Sequence, residues 1–307
     1  MMHYSVLKSE VLESLNIKED GIYVDATLGY AGISKEILKR TKRGFLFAFD
    51  QDEEAVKYSD NLLSQIGNNY KILHTNFVNM KKSLEENDIS LVDGIVFDLG
   101  LSSPEIDNSD RGFSFMNDAR LDMRMDKRQE LDAHFIVNNY DFEKLKDIFF
   151  TYGEEKFSKS IASNIIKYRN EKSIDTTLEL VDIIKKSVPF KYYLDHHPER
   201  QIFQAIRIEV NSELTVLNEV LPDAIKLLKS GGRLSVITFH SLEDRIVKQI
   251  FKKYSEVDSL VKGLPSIPPE YEPLIKLVNK KPILPSDKEL GENSRSKSAK
   301  LRIVERI

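Results

Sequence analysis

The 307 residues include no cysteine. That excludes disulfides and thiolate metal sites, and it suits a reducing cytosol. No apolar run approaches the roughly 18 residues that a membrane helix needs. The first fifteen residues carry Lys8, Glu10 and Glu13 among their apolar positions and so lack a signal-peptide core. A cytoplasmic protein without membrane contact is expected. Histidines are few, and His196 and His197 are too isolated to argue for a metal, so none is expected. A strong positive charge is also missing: the formal net charge is -4. A nucleic-acid partner would therefore have to be met by local basic patches. The hydrophobic share of 41% and charged share of 31% fit a globular chain with a sizeable core.

Hydrophobic patterning divides the chain into three parts. Residues 21–27, 44–50, 70–74 and 93–98 read as short apolar strands, with helical patterns between them, notably 53–66. Strands alternating with helices predict a parallel sheet covered on both faces. Between about 107 and 201 no strong strand is found. Charged, Met- and Phe-rich residues 107–128 lead into helical segments at 133–140, 142–151, 155–170 and 176–188, with Pro189 and Pro198 as punctuation. The alternation then resumes. One long helix is expected over 204–228, tolerating Pro222 and broken by Gly231 and Gly232. A strand over 233–239, a helix over 242–254, a loop-rich, proline-containing segment over 263–292 and a last, antiparallel strand over 300–306 follow. The expected fold is α/β, a Rossmann-like sheet (1–106 and 207–307) interrupted by an all-helical insertion (107–206).

In such a sheet, ligands bind beyond the carboxyl ends of the strands. The first strand ends at Asp25 and runs into a turn containing Gly29 and Gly32, which lets backbone approach a ligand. The second ends at Asp50, twenty-one residues after Gly29, where an acid can accept from a ribose diol. The full G-x-G-x-x-G is absent, and NAD and S-adenosylmethionine are equally good choices on these residues. The fourth strand ends at Asp98, followed by Leu-Gly-Leu-Ser-Ser-Pro. Amino-directed methyl transfer needs acceptors that hold the amine's N–H groups and orient its lone pair. Asp98 can serve in that way, or it can simply order the turn. His240, at the end of the fifth strand, is the candidate general base, with a structural role as the alternative.

Several strings together resemble one family. They are His-Tyr-Ser-Val-Leu at 3–7, Tyr-Val-Asp-Ala-Thr at 23–27, Phe-Asp-Leu-Gly-Leu-Ser-Ser-Pro at 97–104, Arg-Gly-Phe-Ser-Phe at 111–115, Leu-Asp-Met-Arg-Met at 121–125, Tyr-Gly-Glu-Glu at 152–155, Phe-Gln-Ala-Ile-Arg-Ile at 203–208, Val-Asn-Ser-Glu-Leu at 210–214 and Phe-His-Ser-Leu-Glu-Asp-Arg at 239–245. The chain resembles the N4-cytosine methyltransferases of bacterial small-subunit ribosomal RNA (the RsmH, formerly MraW, family).

The resemblance implies S-adenosyl-L-methionine as cofactor. It also implies methylation of the exocyclic N4 of decoding-centre cytosine-1402 in 16S rRNA, within the small ribosomal subunit. It places cofactor contacts on Ala31, Gly32, Ile33, Asp50, Phe77, Asp98 and Glu105. Two departures stand out: Ala31-Gly32-Ile33 replaces the family's Gly-Gly-His, and Glu105 replaces a Gln. An ionised carboxylate accepts hydrogen bonds but donates none. With the resemblance, Arg111, Phe113, Phe115, Arg120, Arg124 and Arg245 become candidate RNA contacts; by composition alone, residues 111–128 are an ordinary mixed-charge loop. The run Arg295–Arg302 is a second basic patch or a solvated edge. A catalytically idle RNA-binding assembly factor and an NAD-dependent oxidoreductase are the competing readings, and homodimerisation is left open.

Overall fold

The computed structural model describes residues 5–257, 260, 261, 264 and 266–307. His3 and Tyr4 of the first family-like string lie outside the described residues, as do parts of the 263–292 segment. The chain forms two compact units, Met1–Gly100 with Leu214–Ile307, and Leu101–Glu213.

In chain order, the first unit begins with α1 (Lys8–Ser14), β1 (Ile22–Asp25), α2 (Ser34–Arg40), β2 (Phe45–Asp50), α3 (Glu53–Ser64), β3 (Tyr70–His74), α4 (Met80–Glu85) and β4 (Val92–Asp98). The second unit holds α5 (Ser103–Asp107), α6 (Ala133–Asn139), α7 (Phe142–Thr151), α8 (Ser158–Arg169), α9 (Thr177–Lys186), α10 (Phe190–His196) and α11 (Pro198–Asn211). The chain then returns to the first unit through α12 (Glu213–Lys226), β5 (Leu228–Thr238), α13 (Ser241–Ser255), β6 (Ile275–Leu277), α14 (Asp287–Glu292) and β7 (Lys300–Arg306).

The seven strands pair in the order β3-β2-β1-β4-β5-β7-β6. The first five run parallel, and β7 is antiparallel to both neighbours. Successive side chains on a strand face opposite ways, and here both faces are covered. Phe47, Phe49, Ile95, Phe97 and Val236 pack with Leu221 of α12 and Val247 and Phe251 of α13. Their neighbours Leu46, Ala48, Val96 and Ile237 pack with Val11, Ile37, Leu38 and Leu63 of α1, α2 and α3. Double-sided burial is why these strands read as continuous apolar runs. Strand order reverses direction between β1 and β4, and that switch point is where such sheets open a crevice.

Two sequence expectations are corrected. The single helix over 204–228 is two helices, α11 and α12, because Ser212 sits in left-handed geometry with φ 51°. Gly231 and Gly232 do not precede β5 but lie inside it. Val92 pairs with Leu228 and Gly94 with Arg233, so residues 229–232 bulge out, and Gly231 takes φ +78° there. The loop-rich segment also contains β6 and α14.

The helical unit has its own core, including Leu121, Met123, Ile136, Phe149, Ile161, Ile184, Phe203 and Ile206. Three of its helices start on side-chain caps that the sequence supplies locally: Asp132 for α6, Asp141 for α7, and a Thr176–Glu179 capping box for α9. The long segment between α5 and α6 has a short 3-10 turn at Ser109–Arg111, is otherwise mostly irregular, and is held down by hydrogen bonds. Asn211 Nδ2 donates to the Met123 carbonyl at 2.8 Å, and Met125 N donates to Asn211 Oδ1 at 2.9 Å.

Candidate active site

Three acids stand at the carboxyl ends of three adjacent strands of the first unit: Asp25 on β1, Asp50 on β2 and Asp98 on β4. Asp25 is buried and accepts from Thr27 N (3.1 Å) and from Ser34 Oγ (2.7 Å), tying the strand end to α2. Asp50 accepts from Gly29 N (2.7 Å) and Asp52 N (2.9 Å), so it holds the glycine turn in place. Gly29 and Ala31 both have positive φ, 47° and 57°. Ser59 Oγ closes the turn on the Gly29 carbonyl at 2.7 Å.

Asp98 differs. Its amide donates to Thr27 Oγ1 at 2.6 Å, but its Oδ1 is cut off from solvent and has no hydrogen-bond partner among the described residues. Burial pushes the Asp98 carboxyl up to about 8, and the nearby charges of Asp25, Glu243 and Glu289 push the same way. Burial likewise raises Asp25 and Asp50 to about 6, against the lowering effect of their hydrogen bonds. Among the described residues, no cation pairs with any of the three. The contrast within β4 is direct. Asp93, at its amino end, is held below the usual range: burial opposes the lowering, but hydrogen bonds from Lys229 (2.7 Å), Ile22 N (3.0 Å) and Lys18 (3.3 Å) outweigh it.

A cluster of acids with no cation to balance it, Asp25 buried and Asp50 and Asp98 half-buried, favours a cationic ligand that carries N–H and O–H donors. It is a poor host for a pyrophosphate. The side of Gly32 that a Cβ would occupy is filled by Ser5 Oγ at 1.8 Å. The residues present therefore fit S-adenosylmethionine, with its ammonium, sulfonium and ribose diol, better than a dinucleotide. Phe77 follows β3, half-buried, with its ring edge-on to Phe97 at 5.4 Å. Ile33 and Ala31 are buried, so these positions offer a ligand backbone rather than side chain. Glu105 belongs to the helical unit, where its Oε2 accepts from Ser102 N (2.7 Å) and Ser102 Oγ (2.8 Å) in the capping box of α5.

His240 is the N-cap of α13. Its Nδ1 accepts from Glu243 N (3.4 Å), while Glu243 Oε2 accepts from Phe239 N (2.8 Å) and His240 N (3.3 Å). A ring accepting at Nδ1 carries its proton on Nε2. Nε2 lies 3.1 Å from Glu243 Oε1, within ion-pair distance but out of hydrogen-bond alignment. This tautomer has no free lone pair for base catalysis. His240→Asn, which keeps the cap, is expected to change kcat by less than about threefold, where loss of a true general base costs roughly 10²–10⁴. A larger loss in steady-state methyl transfer would restore His240 as a base.

The candidate RNA contacts are dispersed by their environments. Arg111 is only 3% exposed, and its guanidinium donates to the Arg124 and Met125 carbonyls at 3.0 and 3.2 Å. Phe113 is buried beside it, and Phe115 packs edge-on against Phe203 at 5.7 Å. Arg124 is paired to Asp122 through Nε and Nη2, both at 2.8 Å. Arg120 is exposed but bridges Asp132 (2.7 Å) and Asp122 (3.4 Å). Arg245 is exposed on α13. In the C-terminal run, Arg302 and Lys300 meet Asp244 at 2.6 and 3.3 Å. The loop is thus largely neutralised from within. Sequence reading missed Thr27, Ser34, Glu243 and Glu289 as parts of the acid site. The Glu243 capping-box spacing was a usable signal; Glu289, which accepts from Leu7 N at 2.8 Å, lies in a segment without one.

A family model described as the MraW methylase family matches residues 1–307. The chain is 52% identical over 306 residues to the ribosomal RNA small subunit methyltransferase H of Exiguobacterium sibiricum, covering 99% of this chain and 98% of that protein. It is also similar to the solved structure of an rRNA methylase from Streptococcus thermophilus, at a TM-score of 0.42 and 12% identity, covering 98% of this chain and 93% of that one.

Proposed function

The chain belongs to the MraW methylase family, and from that premise we propose that it methylates the exocyclic N4 of one decoding-centre cytosine of 16S rRNA in the small ribosomal subunit, working in the cytoplasm. The methyl donor is S-adenosyl-L-methionine, whose sulfonium supplies an electrophilic methyl group. The observation that supports this reading best is the solvent-shielded, unpartnered Asp98 Oδ1 at the sheet's switch point.

Asp50, already fixed by Gly29 N and Asp52 N, keeps lone pairs for the ribose hydroxyls. The backbone at Ala31 and Gly32 borders the same turn, and the Phe77 ring offers an apolar face. Asp98 accepts an N–H from the cationic ligand or from the target amine. Holding the cytosine amine's N–H groups turns its delocalised lone pair towards the methyl carbon, and positioning of this kind is most of what a strong electrophile requires. The N4–C bond forms as the S–C bond breaks, and the methylated amine, now much more acidic, releases its proton to water. The capping role of His240 accords with a reaction that needs no strong base.

Asp50→Ala removes the acceptor that orders the turn and faces the diol. Losing two hydrogen bonds to a charged group, at roughly 1.5–3 kcal/mol each, should weaken cofactor binding roughly 10²–10⁴-fold by calorimetry. The activity itself is tested with labelled S-adenosylmethionine and small ribosomal subunits lacking the modification, followed by nucleoside mass spectrometry. N4-methylcytidine at one decoding-site position is the expected product. Cofactor binding without incorporation into subunits or free rRNA would replace the enzyme with an idle assembly factor.

A further inference from the structure

The helical unit carries its unpaired positive charge away from the arginine-rich loop. Around α10, Lys156, Lys159, Lys185, Lys186, Lys191 and Arg200 are all exposed. Among the described residues, none of the six meets a carboxylate within ion-pair distance. Elsewhere in the same unit cations are mostly matched: Arg120, Arg124 and Arg128 with aspartates, and Lys144, Lys146 and Lys172 with glutamates. The exposed acids within the stretches that form this face are Glu154, Asp182 and Asp195. Glu155 and Glu199 are buried, one accepting from Tyr192 OH at 3.1 Å and the other beside His197 Nδ1 at 3.2 Å.

Packing brings these cations to one place. Lys156 Nζ lies 4.2 Å from the Tyr192 ring centroid, and Lys185 Nζ lies 5.8 Å from that of Tyr193. Tyr192 stacks on His196 at 4.2 Å and meets Phe157 at 4.7 Å. Ser160 Oγ, next to Lys159, donates to the Ser187 carbonyl, next to Lys186, at 2.7 Å. Arg200 N donates to the His197 carbonyl just past α10. Phe190, 65% exposed, offers a bare ring among them.

We propose that this face, centred on α10, binds the ribosomal RNA backbone and stacks its unpaired bases. The inference rests on the RNA substrate proposed above and names the surface that meets it. Unpaired cations interleaved with aromatic faces are the arrangement that follows a flexible phosphate chain, because phosphates take the charge and any base can stack. In a chain of net charge -4, a patch with six exposed cations to three exposed acids concentrates its attraction for polyanions locally.

The test combines Lys156→Gln, Lys185→Gln, Lys186→Gln and Lys191→Gln in the full chain. A control carries the same change at Lys57, Lys81, Lys82 and Lys252, exposed positions of the other unit. Thermal melts check that both fold. The patch variant should raise KM for small subunits roughly 10- to 100-fold with kcat and cofactor affinity unchanged. It should also flatten the slope of log affinity against log salt by up to about three, at 0.7–0.9 per lost phosphate contact. The control should match the parent. An unchanged KM and salt slope in the patch variant would overturn the proposal. So would a change confined to protein self-association on Phe190→Ser, which would make this face a contact between copies. If the parent itself binds no small-subunit RNA, the RNA reading of the enzyme fails and this proposal falls with it.

Discussion

Asp98→Asn should lower methyl transfer roughly 10²–10³-fold while making the ligand-free protein more stable above pH 8. The two effects share one cause. In the unfolded chain the Asp98 carboxyl ionises near its ordinary value of 3.8, but in the folded chain burial, reinforced by Asp25, Glu243 and Glu289, raises it to about 8. The folded state therefore holds a proton that the unfolded state releases. Stability from this group is fully present below about pH 4 and is lost as pH rises towards 8, with a slope of at most about 1.4 kcal/mol per pH unit. An amide of the same shape never ionises, so the variant escapes the loss. The expected gain is roughly 2–4 kcal/mol at pH 9 and little at pH 4, read from denaturant melts across that range. Cofactor affinity should run the other way. In the parent it should strengthen as pH rises from 6 to 8, since only the ionised carboxylate attracts a cation. In Asp98→Asn it should be weak and flat. Parallel stability–pH profiles for the two proteins would refute the account of Asp98 as a strained, ligand-seeking acid.

Arg111→Ala should cost the helical unit about 2–4 kcal/mol and leave the salt dependence of RNA binding unaltered. The guanidinium is buried, donates to two carbonyls of the segment that follows, and lies 5.7 Å from the centre of the Phe113 ring. Truncation strands those carbonyls and leaves a cavity. Arg111→Lys should recover little, because an ammonium cannot reproduce the planar fork. A phosphate-binding arginine would behave oppositely, losing RNA affinity and salt slope with no change in melting temperature. Thermal denaturation and filter binding at two salt concentrations separate the two.

Much of the architecture was legible from patterning. β3, α7 and β7 fall on the expected residues, and β1, β2, β4, α3, α6, α8, α9 and α13 fall within a few residues of expectation, because apolar runs buried on both faces and stripes of period 3.6 are local signals. The single helix expected over 204–228 breaks at one residue that carries no local marker. Ser212 adopts φ 51°, and its neighbour Asn211 is hydrogen-bonded to Met123 and Met125, which lie 88 and 86 residues away. β6 is three residues long, too short for a period-2 pattern to register.

The acids were equally visible: Asp25, Asp50 and Asp98 end strands, and strand ends are where such a sheet binds. What the chain order could not supply was the charge balance around each group. Arg111 and Arg124 look like phosphate ligands in a one-dimensional reading, and folding turns them inward onto carbonyls and Asp122. His240 looks like a base until its Nδ1 is found capping α13. Lys156, Lys185 and Lys191 look unremarkable in sequence, scattered over 36 residues, and become one patch only when α8, α9 and α10 pack. Hydrophobic periodicity is written along the chain, whereas desolvation and charge pairing depend on neighbours brought together by packing; the fold could be read from the first, and the roles of individual polar side chains only from the second.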